Sequence, residues 1–176
     1  MNKKRILFTA VIAVIVVVAA IYYVKLGGFN PMHKSVEEQP ELYFSGQKYY
    51  GLTTDDSLRE IMGSVFQEVQ RGRLEGTFSV CHIGNPDQDR YPISVWVGTT
   101  QESPQKAVPE LFDQWRLPAR EVVRATINSY SIVAPNPNKV NEELRNLAQK
   151  RGLTLDSLYL ERYFSEEKIF NEIYVD

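Results

Sequence analysis

The chain has 176 residues, 43% of them hydrophobic and 24% charged, enough for one folded domain with an appendage and without the composition of a disordered or low-complexity protein. Of its 20 Lys and Arg, four lie at or before Lys25, leaving sixteen against 22 Asp and Glu; the remainder is near −6 and a poor partner for nucleic acid. Cys81 is the only cysteine, which excludes an intrachain disulfide, and the two histidines do not form a metal-ligand pattern.

Residues 6–24 are an apolar run without charge or proline, about the length needed to cross a bilayer's hydrocarbon region as a helix. Lys3, Lys4 and Arg5 precede it, and Tyr22, Tyr23 and Lys25 close it, in keeping with an interfacial aromatic belt. The reading is a single transmembrane anchor over 1–25. The basic bias before the span places the N-terminus in the cytoplasm and the rest of the chain outside. A signal peptide cleaved after Ala20 is the alternative. Residues 26–40 mix glycine, proline and charge without an apolar period and read as a flexible tether, with the folded domain at 41–176.

The domain opens with aromatic and β-branched runs over 41–54, an expected strand or bent strand pair. Leu58, Ile61, Met62, Val65 and Val69 then recur at helical spacing, with Ser57 and Glu60 at capping-box distance and Gly72 and Gly76 beyond the end. Residues 77–83 and 91–100 read as a hairpin around the turn-rich 84–90. The prolines 104, 109 and 118 make 101–120 an expected crossover with at most a turn or two of helix.

The order then repeats. A strand is expected over 121–131, and a helix follows with Asn136 as N-cap, Pro137 at its first position, Val140, Leu144, Leu147 and Ala148 as stripe and Gly152 as stop. Two strands, 153–165 and 169–175, finish the chain. The expected fold class is α+β, two strand-helix-strand-strand units in one antiparallel sheet with both helices on one face, plus the N-terminal transmembrane helix. The domain is expected to be a monomer.

Within 153–165, alternation puts Tyr159, Glu161 and Tyr163 on one face and Leu158, Leu160 and Phe164 on the other. The leucine face reads as the core against the helices. The other places a carboxylate between two phenol rings, an arrangement suited to a cationic aromatic guest. Its expected position is a cleft on the side of the sheet away from the helices, with Trp96 lining it. The plain alternative for Glu161 is an exposed strand residue paired with Arg162 or Lys168. Cys81 and His82 are adjacent on a strand, face opposite ways and form no dyad, so both read as strand residues. No catalytic residue, metal or cofactor is assigned.

Several local motifs, in order, resemble the GyrI-like small-molecule-binding domain, the effector-binding module of multidrug-responsive bacterial transcription activators. They are Tyr50-Gly51-Leu52 before the first helix, Asn85-Pro86-Asp87 in the hairpin turn, Pro118-Ala119 before the second-half strand, Leu160-Glu161-Arg162-Tyr163 and the closing Glu172-Ile173-Tyr174-Val175. The resemblance covers about 42–175. It implies a duplicated strand-helix-strand-strand fold with a pocket between the halves for bulky, often cationic aromatic compounds, in which Glu161 and Tyr163 contact the guest. Two departures stand out: Arg120 where the family often has glycine, and Ile127-Asn128-Ser129-Tyr130 where it has a His-x-Gly-x-Tyr pattern. No helix-turn-helix precedes the domain, so a transcription activator is not expected. The functional expectation is a membrane-anchored protein that senses or sequesters such a small molecule, with Glu161 as counter-ion. A hydrolase of reactive small molecules using the same glutamate, and a protein-docking or scaffold domain, are the alternatives.

Overall fold

The computed structural model describes residues 3–52, 54–84 and 92–176, with side chains from residue 8 onward. Helix α1 (Lys3–Lys25) is followed by strands β1 (His33–Gln39) and β2 (Leu42–Gly51), helix α2 (Asp56–Gln70), and strands β3 (Thr77–Ile83), β4 (Ile93–Gln101), β5 (Asp113–Leu117) and β6 (Arg120–Ile127). After a 3₁₀ turn at Ser131–Val133 come helix α3 (Pro137–Arg151) and strands β7 (Leu155–Ser165) and β8 (Lys168–Val175). The eight strands form one sheet in the order β1-β6-β8-β7-β3-β4-β2-β5, antiparallel at every pairing.

The duplication is present, with an addition. β2-α2-β3-β4 and β6-α3-β7-β8 are the two units, and β7 joins β3 at the seam between them. Each unit also has a leading edge strand, which pairs with the other unit. β1 leads into β2 but pairs with β6, and β5 leads into β6 but pairs with β2. Two-residue links, Pro40-Glu41 and Pro118-Ala119, join strands six steps apart in the sheet order. In a flat sheet six steps span roughly 29 Å. A link from Gln39 to Leu42 reaches only about 10 Å. The sheet must therefore curl until its edges meet. Leu42, Phe44, Cys81, Leu117, Val122, Leu160 and Tyr174, drawn from six strands, fill the inside of the curl.

Both helices lie on the outer face. Val65 of α2 packs with Tyr49, Val80, Val95 and Val97, while Val140, Leu144 and Ala148 of α3 pack with Val123, Ala125, Tyr159 and Ile173. The two-helices-on-one-face expectation holds. Its assignment of faces does not, because Leu158 and Leu160 turn to the inside of the curl, where strands rather than helices bury them.

Other corrections have local causes. The stretch 26–40, expected as a tether, contains β1, seven residues paired with β6. Its only aliphatic is Val36, so no apolar alternation announces it; charged edge strands are a common device against aberrant pairing. The crossover expected over 101–120 contains β5, a five-residue edge strand between Pro109 and Pro118. The Ser57–Glu60 capping box does not form, because α2 begins one residue before Ser57, with Asp55 as N-cap. The Asp55 carboxylate instead accepts from the Tyr49 hydroxyl at 2.9 Å and the Leu52 N–H at 3.2 Å. In α3 the Asn136 side chain accepts from Asn138 N at 2.9 Å and Pro137 holds the first turn, as the sequence predicts. The turn carrying Asn85-Pro86-Asp87 lies outside the described residues.

On the inner face Glu172 is fully buried and satisfied. Arg162 Nε and Nη2 donate to its two oxygens at 2.9 and 2.6 Å, and Arg124 Nε donates to Oε1 at 2.7 Å. The Gln39 side-chain oxygen accepts from both arginines, and Arg124 also pairs with Glu37, which ties β1 to the sheet.

Where β2 crosses β4, Gly46 stands opposite Gly98, and a Cβ on Gly98 would sit 2.0 Å from the Ser45 carbonyl oxygen. Gly98→Ala is expected to destabilise the domain by roughly 1–3 kcal/mol, because backbone cannot yield there. Gly63→Ala in α2, with nothing within 4 Å of its Cβ position, should stabilise by about 0.5–1 kcal/mol. Thermal midpoints of the two variants check this pair.

Candidate functional site

β7 carries the site, and its register with β3 determines what surrounds each side chain. Tyr159, Glu161 and Tyr163 alternate onto the outer face, with Glu161 opposite Val80, Tyr159 opposite His82 and Tyr163 opposite Phe78. α2 covers the β2–β4 half and α3 the β6–β8 half, so the seam between β3 and β7 lies in the groove between the helices. A cavity of about 380 Å³ opens there. Leu58 and Met62 of α2 form one wall, Asn136 to Asn138 and Asn141 at the start of α3 the other, and Val80, Val95 and Val97 part of the floor. A second cavity, of about 160 Å³, shares Glu161, Tyr163, Asn136 and Pro137 and runs under the 3₁₀ turn past Ser131 and Pro135.

Glu161 is half-buried between these two spaces. The Tyr163 hydroxyl donates to its Oε2 at 2.6 Å. Burial, followed by the charge of Glu161 and this hydrogen bond, pushes the Tyr163 phenol well above its usual range, so it stays a donor. Tyr159 is buried, with its hydroxyl bonded to Asn171 at 2.5 Å, and its ring lies 5.5 Å from that of His82. No lysine or arginine is among the described residues lining either cavity. The arrangement is an apolar slot of ligand-sized volume with one negative group at its floor, where a cation would meet little competition.

Three of the four expected site residues are thus together: Glu161, Tyr163 and Tyr159. The cleft is on the helix side of the sheet, not the side away from the helices. For that reason Trp96 is not part of it. Trp96 stands opposite Cys81 on the inner face, 6.0 Å from the ring of Trp115 and under Lys48. Arg162, the surface partner considered for Glu161, also faces inward, to Glu172.

His82, Leu58, Met62 and the first turn of α3 are lining residues that sequence reading passed over. His82 was legible as facing away from Cys81, but its neighbour Tyr159 follows from a pairing register between residues 77 apart in sequence. Its imidazole is held below the usual histidine value by burial, which the charge of Glu161 opposes. Cys81, fully buried inside the curl, has its thiol pushed up to about 12 by burial and is no nucleophile.

The sequence matches no protein-family model and no curated protein. Solved structures share its architecture. The EcmrR C-terminal domain aligns with a TM-score of 0.59 at 13% identity, covering 82% of this chain and 98% of that one. This chain has the fold of the EcmrR C-terminal domain. SAV2435 bound to tetraphenylphosphonium aligns with a TM-score of 0.51 at 14% identity, over 82% of this chain and 94% of that one. A hydrolase from Listeria innocua aligns at 0.52 and 10% identity, over 88% and 98%. The EcmrR-like architecture is consistent with the GyrI-like resemblance, and at these identities the likeness is one of fold.

A histidine whose folded-state value is depressed stabilises the fold above its unfolded value, about 6.5, and that contribution is lost as pH falls through the folded value. The thermal midpoint is therefore expected to drop on acidification below about 6.5, and His82→Gln should make the drop shallower. A pH series of melting curves for the two proteins checks it.

Proposed function

We propose that this protein is a membrane-anchored binder of lipophilic aromatic cations, held in the groove between α2 and α3 with Glu161 as counter-ion. The observation that carries the reading is the setting of that carboxylate: half-buried at the floor of a cavity of about 380 Å³, bonded to a phenol, with no described cation in the lining. Ring faces of Tyr163 and Tyr159 add attraction for a cation, on the order of 1–2 kcal/mol where water is excluded. SAV2435, which shares the fold, was solved with tetraphenylphosphonium, a guest of this chemistry.

Anchoring rests on α1. Its Phe8–Lys25 stretch is apolar and wholly unburied by the rest of the chain, and 23 helical residues span about 35 Å. The basic cluster before it favours an extracytoplasmic domain. A second reading, hydrolysis of a reactive small molecule, draws on His82 beside the Glu161 cleft as a second titratable group and on the fold shared with the Listeria innocua hydrolase.

Glu161→Gln keeps the shape and removes the charge. Calorimetric titration with tetraphenylphosphonium is expected to show about tenfold or greater loss of affinity, with the melting temperature held or raised because a desolvated charge is relieved. Unchanged affinity would remove Glu161 from the site.

A further inference from the structure

The junction between α1 and the domain is not loose. The Leu26 carbonyl, one residue past the helix, accepts from the Tyr130 N–H at 3.0 Å, and the Asn30 amide donates to the Asn128 carbonyl at 2.5 Å. Gly27 is buried in this contact, and a Cβ there would lie 2.9 Å from the Asn128 oxygen. β1 begins only three residues after Asn30. The end of α1 is therefore docked on the segment that follows β6.

That segment also borders the site. From Tyr130 the chain makes the 3₁₀ turn, and Ser131, Ala134, Pro135 and Asn136 line the cavity beside Glu161. Two large apolar side chains flank the junction and stand in the open: Phe29 is 76% exposed and Ile132 83%. Phe29 packs edge-on to Tyr23, 5.0 Å between rings, at the aromatic end of α1.

These contacts limit how far the two side chains can stand from the end of α1. The headgroup layer is about 5–8 Å thick on each side of the hydrocarbon. Tyr130 is hydrogen-bonded to the residue that follows the helix, and Ile132 is two residues further on. Chain length alone holds Phe29, three residues past Leu26, and Ile132, two past Tyr130, within about 10 Å of the end of α1, a distance comparable to the headgroup layer. Large apolar groups there gain by insertion, as aromatic belts and interfacial anchors do.

Resting on the anchored reading above, we propose that Phe29 and Ile132 form a lipid-contacting rim that seats the domain on the bilayer, so that the groove takes its guest from the headgroup–acyl boundary. The partner is a neutral or zwitterionic lipid surface. Glu167, with Glu166 farther off, raises the Tyr130 phenol above its ordinary value, and two carboxylates near this level oppose attraction to anionic headgroups. A lipophilic cation concentrates in the same boundary, so the rim places the slot where such a guest accumulates.

The test uses the full chain in phosphatidylcholine nanodiscs, with an environment-sensitive fluorophore on Phe29→Cys, Ile132→Cys or, as control, Leu111→Cys. Leu111 is 78% exposed and lies on the loop before β5; the buried Cys81 stays unlabelled. Lipids with brominated acyl chains are expected to quench positions 29 and 132 several-fold more than 111, and aqueous iodide to show the reverse order. Equal iodide access at all three positions in protein that stays with the discs would overturn the rim and leave the anchor standing. Protein that elutes apart from the discs would overturn the anchored reading, and the rim with it.

Discussion

The seam between β3 and β7 is the constraint on which the molecule depends. It is where the two duplicated units join side by side, and its register places Val80 against Glu161 and His82 against Tyr159. Each unit supplies one helix and buries it over its own strands. The helices pack against the seam at Val80 and at Tyr159 and leave the space above Glu161 open. A duplicated fold of this kind leaves a groove along its own axis of repetition, and the outward residues of β7 form its floor. Curling of the sheet by the swapped edge strands closes the inner face, and the outer groove keeps a cavity of about 380 Å³ beside Glu161.

The two faces of β7 and β8 treat charge in opposite ways. Inside, Glu172 receives hydrogen bonds from two arginines, and Gln39 completes the network; removing Glu172 would leave the buried Arg162 without its carboxylate, typically at a cost of about 3–5 kcal/mol. This cluster holds β1, β6, β7 and β8 in register. Outside, Glu161 has one phenol donor and no described cation at its cavities. Same strand neighbourhood, same residue type, different provision. Buried ionic groups that serve the fold are satisfied within the fold, whereas a half-buried carboxylate on an apolar slot has capacity for a guest.

Much of the architecture was legible because periodicity and caps act locally. The 3.6 spacing in α2 and α3, the Asn136-Pro137 start and the alternation of Tyr159, Glu161 and Tyr163 are all properties of short stretches. β1 and β5 escaped because edge strands need little apolar alternation: HKSVEEQ shows none, and DQWRL has only the pair Trp115 and Leu117, too short to stand out between prolines. The side of the sheet on which Glu161 lies escaped for a different reason. Leu158 and Leu160 read as a face for helices, but a curled sheet has two buried faces, and the choice between them depends on the links Pro40-Glu41 and Pro118-Ala119 joining distant strands. Trp96 was misassigned by that same inversion. His82 needed the β3–β7 register, a long-range fact no local window contains.

The claim at the centre is that the groove selects for positive charge as well as for aromatic shape. The most direct measurement is the affinity of the full chain for a lipophilic aromatic cation and for its neutral isostere, in which carbon or silicon replaces the charged centre. The account predicts that the cation binds at least about tenfold more tightly at neutral pH, a difference of about 1.4 kcal/mol, and that each addition of salt narrows the gap only slightly because the charge is partly buried. Equal affinity for the two compounds would contradict it and reduce Glu161 to a strand residue held by a tyrosine.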